Sequence, residues 1–600
     1  MDTTDKNTVG IVKTNVIRLI ESDRPLKLRS GRELAPIDVA YETYGELNDA
    51  QDNAILICHA LSGDAHVAGY HSRDDKKPGW WDCMVGPGKA IDTNKYFVIC
   101  SNLLGGCSGT TGPASINPQT DKPYGMDFPI ITIADMVKVQ KLLLEKLGIK
   151  KLLAVIGGSI GGMQVLAWAI EYPDFVDSAI AVATTSRLGA QSIAFDAVGR
   201  NAIVADPNFD NGNYYGRKVP DRGLAIARMI GHITYLSEQS MREKFGRQLR
   251  SAQAYSYDFD SEFAVETYLD YKGQSFVERF DAGSYLYITK AADYFDLARK
   301  HRTLKKAFEK VKSRFLIVSF SSDWLFTPEQ SEAIVKGLIA NGKDVSFCNI
   351  NSPYGHDAFL LEPETLGNFI SGFLKATHSP IAKDHGRQLN GANQKTLSRF
   401  EQAQRARVDY ELIESLIEPD SIVLDIGCGD GELLARLKKD KNIKGRGIEL
   451  VEELVLEGIR RRLPIVQYDI ERGLENYAYK SFDYVILSQT LQTVKNPKKV
   501  FMELLRLGRK VIVSFPNFGH WRCRAQLLFL GKAPQTRQLP FGWHDSPNIH
   551  FLSLKDFDEF CRRLNVNIEK KMPLVKARLS PVRFAANLLA EQVIYVTSKD

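Results

Sequence analysis

Three absences narrow what this chain can be before any motif is read. No apolar run approaches the roughly 18 residues a membrane-spanning helix needs, so no membrane role is expected. No two cysteines stand at CxxC spacing; the eight (58, 83, 100, 107, 348, 428, 523, 561) are scattered. That argues against a disulfide framework or a zinc site, and no metal is expected. The opening MDTTDKNTVGIVKTNV has acids where a secretion signal has a basic start and an apolar stretch, so a cytoplasmic protein is expected. Low-complexity tracts and internal repeats are also missing.

What is present has the make-up of a soluble enzyme, with 44% apolar and 25% charged residues. Six hundred residues exceed what one hydrophobic core organises, so at least two domains are expected. Residues 1–400 carry 46 basic and 46 acidic side chains, and residues 401–600 carry 32 and 26. The net charge of +6 therefore lies wholly in the last third. So small an excess fits a solvated surface better than a nucleic-acid groove, and no nucleic-acid partner is expected. The Arg460-Arg461-Arg462 run and the Arg522/Arg524 pair are read as solvated or partner-facing surface.

Two strand–turn–helix signatures divide the chain: LLAVIGGSIGGMQVLAWAI (152–170) and SIVLDIGCGDGELLARL (421–437). Each runs from β-branched apolar residues through glycines into helical spacing. Between them, KATHSPIAKDHGRQLNGANQKTLSRFEQ is polar and poor in large apolar residues, as a linker is. The reading is a first domain over 1–378, a linker over 379–400 and a second domain over 401–600. Strand patterns at 38–45, 53–61, 96–104, 314–320 and 344–350, with helical stretches between, predict an α/β fold with a mainly parallel sheet. Residues 186–305 read instead as helices rich in Arg, Tyr and Phe, a cap over the sheet's C-terminal edge.

Gly157-Gly158-Ser159-Ile160-Gly161 matches G-x-S-x-G, whose glycines permit the strained turn that lifts a serine hydroxyl above an α/β-hydrolase sheet. A serine nucleophile needs a base, and the base a carboxylate that orients it, in the chain order Ser, acid, His. Asp323 follows the late strand FLIVSFS, and His356 lies in the loop after the next one. Ser159, Asp323 and His356 are thus the catalytic candidates. Backbone N–H groups of Leu61, after an early strand, and Ile160, after the nucleophile, are the oxyanion-hole candidates. Cys58 and His59 look like a second nucleophile–base pair, but neighbours on a strand end face opposite ways, and Cys58 is read as a core thiol.

At these residues the chain resembles the homoserine O-acyltransferase (MetX) family. CHALSGDAHV, WWDCMVGPGKAIDT, SNLLGGCSGTTGPASINP, GGSIGGMQVLAWA, ARMIGHITY, SSDWLFTP and YGHDAFLLE carry the likeness over about 10–378. Ile160 departs from it, since Met is commoner there, but the backbone N–H is unchanged. The resemblance implies acyl transfer from an acyl-CoA to L-homoserine through a Ser159 ester, with no cofactor required and a homodimeric state. It implies that Arg228 clamps the substrate carboxylate and Asp357 meets its amino group. Trp324 and Leu325, in SSDWLF, resemble the succinyl-CoA-using branch; acetyl-CoA is the alternative donor.

In the second domain, Asp425, Gly427 and Gly429 form a glycine turn after a strand. Glu449 stands twenty residues after Gly429, at the spacing of a ribose-binding acid, and Asp469 lies near a third strand end. The pattern resembles the class I S-adenosylmethionine methyltransferase fold, a Rossmann-type architecture, with S-adenosylmethionine as an allowed ligand. VLDIGCGDGELL, SFPNFGHWRCR and HDSPNIHFLSLKDF resemble more closely the MetW family over roughly 400–597. That likeness implies a domain supporting the acyltransferase; an active methyltransferase and a stabilising module are the alternatives.

Overall fold

Segments that read as mainly apolar runs, such as Ala54–Cys58, Leu152–Gly158 and Arg314–Phe320, are buried along their whole length. A strand covered on both faces has no solvent side to mark with polar residues, so it belongs inside a parallel sheet. The computed structural model describes residues 7–250, 254–378, 409–475, 477–575, 578–579 and 585–599. It divides into two units, Met1–His378 and Ser379–Asp600. The linker read over 379–400 lies outside the described residues.

The main sheet of the first unit contains β1 (Asn15–Ile20), β2 (Ile37–Tyr44), β3 (Ala54–Cys58), β4 (Phe97–Ser101), β5 (Leu152–Gly158), β6 (Val176–Val182), β7 (Arg314–Phe320) and β8 (Val345–Ile350). Their spatial order is β1-β2-β4-β3-β5-β6-β7-β8. The pairs from β4 to β8 are parallel, while β1 and β2 are antiparallel additions at one edge. Helices α1 (Ile133–Lys146) and α2 (Ile160–Glu171) flank β5, and between β6 and β7 the chain leaves the sheet for helices that include α3 (Ala190–Ala205), α4 (Asp221–Tyr235), α5 (Ala264–Val277) and α6 (Ala282–Asp293). These carry a core of their own, with Ile203, Leu224, Ala227, Phe276, Tyr285 and Leu286 packed together.

The second unit is built on β9 (Ile422–Ile426), β10 (Lys444–Glu449), β11 (Ile465–Gln467), β12 (Phe482–Ser488) and β13 (Gly508–Pro516), all parallel, in the order β11-β10-β9-β12-β13. β14 (Asn567–Val575), β15 (Arg578–Leu579) and β16 (Gln592–Ser598) extend it with antiparallel pairings, β16 lying against β13. The strand order reverses between β9 and β12. Open parallel sheets form a ligand crevice at the carboxyl ends of strands at such a reversal.

Candidate active site

Ser159 sits between β5 and α2 (Ile160–Glu171) with φ 59° and ψ −124°. A side-chain-bearing residue enters that region only at a cost of about 1–3 kcal/mol. The tightness has a local cause. A Cβ on Gly161 would lie 2.1 Å from the Cys58 carbonyl oxygen, so only glycine lets α2 approach the end of β3 this closely. A buried relay fixes that approach: Trp168 Nε1–H donates to Gln140 Oε1 (2.8 Å), Gln140 Nε2–H to Gln164 Oε1 (2.8 Å), and Gln164 Nε2–H to the His59 carbonyl (3.3 Å).

The Ser159 hydroxyl donates to His356 Nε2 at 2.8 Å, and His356 Nδ1–H donates to Asp323 Oδ2 at 2.8 Å. Asp323 is locked in turn, because its Oδ1 accepts the N–H groups of Leu325 (3.0 Å) and Phe326 (2.9 Å). All three side chains are buried, and His356 is flanked by the rings of Phe326, Phe359 and Tyr235. The His-bearing loop fits against the end of α4 through Gly355, at φ +69°, where a Cβ would meet the Tyr235 carbonyl at 2.7 Å. Ser159, His356 and Asp323 thus form one hydrogen-bonded chain, an arrangement able to make a serine hydroxyl nucleophilic at neutral pH.

Of the oxyanion-hole candidates, Ile160 is the first residue of α2, and Leu61 packs against the cap core. The Leu61 loop is heavily braced. The His59 ring accepts the Leu103 N–H at Nε2 (3.1 Å), and its Nδ1–H donates to the Ala60 carbonyl (2.8 Å). Burial lowers the His59 pKa, which keeps the ring a neutral strut. Cys58 is a core thiol pushed far above its usual range by burial. Farther along, Tyr44 OH accepts the Val67 N–H (2.8 Å) and donates to Glu42. Glu42 is buried, and burial alone would raise its pKa. Hydrogen bonds from His66, His71, Tyr44 and Thr14 instead hold it at about 2. A carboxylate depressed from 4.5 to about 2 stabilises the fold fully above pH 4.5, and that contribution is lost as pH falls through 2. Glu42→Gln should therefore lower stability at pH 7 and flatten the acid-unfolding curve between pH 4.5 and 2, as followed by circular dichroism.

Arg228, on α4, reaches the loop after β3: its Nη1–H donates to Ser62 Oγ at 3.2 Å, and its guanidinium lies 4.7 Å from the Phe276 ring centre. Asp357 follows His356 in the chain; burial raises its pKa, against the pull of His356, Arg228 and Lys272. Sequence reading missed three further groups. Arg279 Nη1–H donates to the Ser62 carbonyl at 2.9 Å and stacks on the same Phe276 ring (5.2 Å). Lys272 has its pKa lowered by burial and then by Arg228 and Lys244. His232, on α4, is pushed to about 3 by burial and then by these same cations. No motif marks Arg279 or Lys272, and His232, though inside ARMIGHITY, has no role legible there, because only the packing of α4 on α5 gathers them. Trp324 and Leu325 stand beside the acid with structural duties: Trp324 Nε1–H donates to the Leu236 carbonyl (2.9 Å), tying the end of α4 to the sheet.

In the second unit a cavity of about 880 Å³ opens at the strand-order reversal, lined among others by Gly427, Gly429, Glu449 and Asp469. Gly427 and Gly429 have φ of +66° and +59°. Glu449 Oε2 accepts the Gly429 N–H (2.8 Å), while Oε1 takes those of Leu450 and Val451. Asp469 caps a short turn through the Glu471 N–H (2.9 Å). Asp425 does not line the cavity; it is buried at the end of β9.

Residues 53–363 match the alpha/beta hydrolase fold family, and residues 407–597 match the methionine biosynthesis protein MetW family. Over 569 residues the chain is 42% identical to the bifunctional methionine biosynthesis protein MetXA/MetW of Rhodopirellula baltica, covering 92% of this chain and 88% of that one. The chain belongs to the bifunctional MetXA/MetW family. The MetXA-like part is 56% identical to a homoserine O-acetyltransferase of Methanohalobium evestigatum over 62% of this chain and 75% of that protein. It is 53% identical to a homoserine O-succinyltransferase of Magnetococcus marinus, over 62% and 97%. The fold is also that of esterase E22, whose structure matches 61% of this chain and all of its own at 33% identity and a TM-score of 0.57. A MetXA fold alone therefore leaves open whether water or an amino acid accepts the acyl group.

Proposed function

We propose that the first unit transfers an acyl group, succinyl in preference to acetyl, from acyl-CoA to the hydroxyl of L-homoserine. The observation that carries the transfer is the Ser159–His356–Asp323 hydrogen-bonded chain with Arg228 anchored on the oxyanion loop beside it. Ser159 Oγ attacks the thioester carbonyl as its proton passes to His356 Nε2. The oxyanion is met by the N–H groups of Leu61 and Ile160, and the CoA thiolate leaves with the proton from His356. Homoserine then enters with its carboxylate on Arg228 and its ammonium on Asp357. His356 removes the hydroxyl proton, the new oxygen attacks the Ser159 ester, and Ser159 takes its proton back. No metal or cofactor is needed for these steps. The enzyme is read as a cytoplasmic homodimer.

The preference for succinyl rests on charge. Among the described residues, Arg228, Arg279, Lys272 and Lys244 have no carboxylate within 4.0 Å, although burial lowers the pKa of Arg279 and Lys272. One guanidinium suffices for homoserine; the surplus suits a donor bearing a second carboxylate. Assays with succinyl-CoA and acetyl-CoA in parallel, with and without L-homoserine, test this. The expected result is succinylhomoserine formation with a higher kcat/KM and little acid release without homoserine. Equal or greater turnover of acetyl-CoA would refute the donor assignment.

For the second unit, the topology and glycine turn support a class I methyltransferase-like fold, and the cavity residues fit a nucleoside. Glu449 stands at the strand end beside a turn that meets the cavity through Gly427 and Gly429, both at positive φ. Glu449 and Asp469 would hold ribose hydroxyls and the base of S-adenosylmethionine, which when bound supplies an electrophilic methyl group. The domain is read as supporting the acyltransferase, and deleting residues 401–600 should lower acylhomoserine formation severalfold at constant protein concentration.

A further inference from the structure

The cysteines are too scattered for a thiolate cage, yet imidazole and carboxylate ligands gather in the first unit, apart from the Ser159 chain. Glu42 stands on β2, and His66 and His71 on the loop that follows β3. One ligand atom from each lies within 4.8 Å of the other two. His71 Nε2 is 2.7 Å from Glu42 Oε1, and His66 Nδ1 is 3.1 Å from Glu42 Oε2. Thr14, just before β1, places its Oγ1 2.7 Å from the same Oε1 and 3.3 Å from His71 Nε2. A tetrahedral ion bound at about 2.0–2.1 Å needs neighbouring ligands roughly 3.3 Å apart. The spacings to Glu42 differ from that by only tenths of an ångström, and rotation of the exposed His71 ring sets the third.

The cluster is short of a cation. The Glu42 side chain is 1% exposed and ionised at neutral pH, and its ion-pair partners among the described residues are these two histidines alone. Neutral imidazoles leave that buried charge uncompensated. The strongest charges acting on His66 are likewise negative, from Glu42, Asp64 and Asp75. His66 Nε2 has no partner among the described residues, so no neighbour fixes which ring nitrogen carries the hydrogen, and Nδ1 is free to offer its lone pair. The His71 side chain is 46% exposed, which gives an ion a way in and leaves one position open to water. The frame around the ligands is firm. The Trp80 N–H donates to the His66 carbonyl (3.1 Å), Asp75 Oδ2 accepts the His71 N–H (2.8 Å), and Tyr44 OH links Glu42 to the Val67 N–H. Two imidazoles with one carboxylate suit borderline ions such as zinc rather than magnesium or calcium, which prefer oxygen alone.

We propose that Glu42, His66 and His71 bind one zinc-class divalent cation, with water in the fourth place, and that the ion fastens the loop carrying Leu61 and Ser62 to the sheet. Each imidazole binds as the neutral ring, through Nδ1 of His66 and Nε2 of His71, with its hydrogen on the other nitrogen. The ion takes no part in the acyl-transfer steps. Full-length wild type and His71→Ala, freed of metal with EDTA, would be titrated at neutral pH with Zn²⁺ by calorimetry and with Co²⁺ by visible absorption. The expected result is one tight equivalent of Zn²⁺ on wild type, weakened about a hundredfold or more in His71→Ala. Co²⁺ in that place should show d–d bands without a thiolate charge-transfer band. The melting temperature should rise with Zn²⁺ in wild type and stay unchanged in the variant, because only a folded site binds the ion. His71 is exposed, so its replacement leaves the fold intact, as far-ultraviolet circular dichroism would show. No tight Zn²⁺ on wild type, equal uptake by His71→Ala, or a thiolate band for that equivalent would overturn the site. The three side chains would then be a hydrogen-bonded strut and nothing more.

Discussion

Ser159→Ala should abolish acylhomoserine formation, with kcat falling about 10⁴–10⁶-fold while acyl-CoA still binds. Among the described residues the hydroxyl is the only hydrogen-bond partner of His356 Nε2, and alanine leaves the base with nothing to activate. His356→Ala should cost about as much, and the double variant little more, because the members act as one unit. Asp323→Asn should keep the geometry while favouring the wrong imidazole tautomer, since His356 Nδ1 must carry the hydrogen that Asp323 accepts. Rapid-quench detection of the acyl-enzyme, with product measured by mass spectrometry, reads all four variants. Substantial turnover by Ser159→Ala would place the chemistry elsewhere, including on the second unit.

Arg228→Ala should separate transfer from hydrolysis. Loss of a charge-assisted clamp costs about 1.5–3 kcal/mol, so KM for homoserine should rise about ten- to a hundredfold or more. Acylation of Ser159 does not use the homoserine carboxylate, and slow acid release without homoserine should persist. The protein would then behave as an esterase, the activity named for the structurally similar E22. If homoserine KM stayed unchanged, the guanidinium would be a cap-packing group stacked on Phe276 and nothing more.

These two predictions differ in how far the chain itself announced them. The turn at Ser159 was legible because glycines at fixed offsets between an apolar strand and an apolar helix admit few backbone solutions. Asp323 and His356 lie 164 and 197 positions downstream of it, yet strand order alone pointed to both. The predicted strand over 53–61 stops at Cys58, since His59 turns inward to brace Leu103 rather than continue the ladder. Nothing local marks Arg279 or Lys272, and Ser62, though inside CHALSGDAHV, shows no link to the cap: their meeting depends on helices distant in sequence packing into one cap. Trp324 was read from its motif as resembling the succinyl-CoA-using branch; the bond from its indole to Leu236 emerges only once α4 is in place.

The backbone at Ser159 has a consequence for the history open to this protein. A residue at φ 59° is held there by its neighbours rather than by its own preference, and glycine would rest in the same place at less cost. Selection for thermal endurance alone would thus favour erasing the reactive hydroxyl, and selection for growth must continually oppose it. Lineages freed from making methionine should lose the serine early, while their fold grows sturdier.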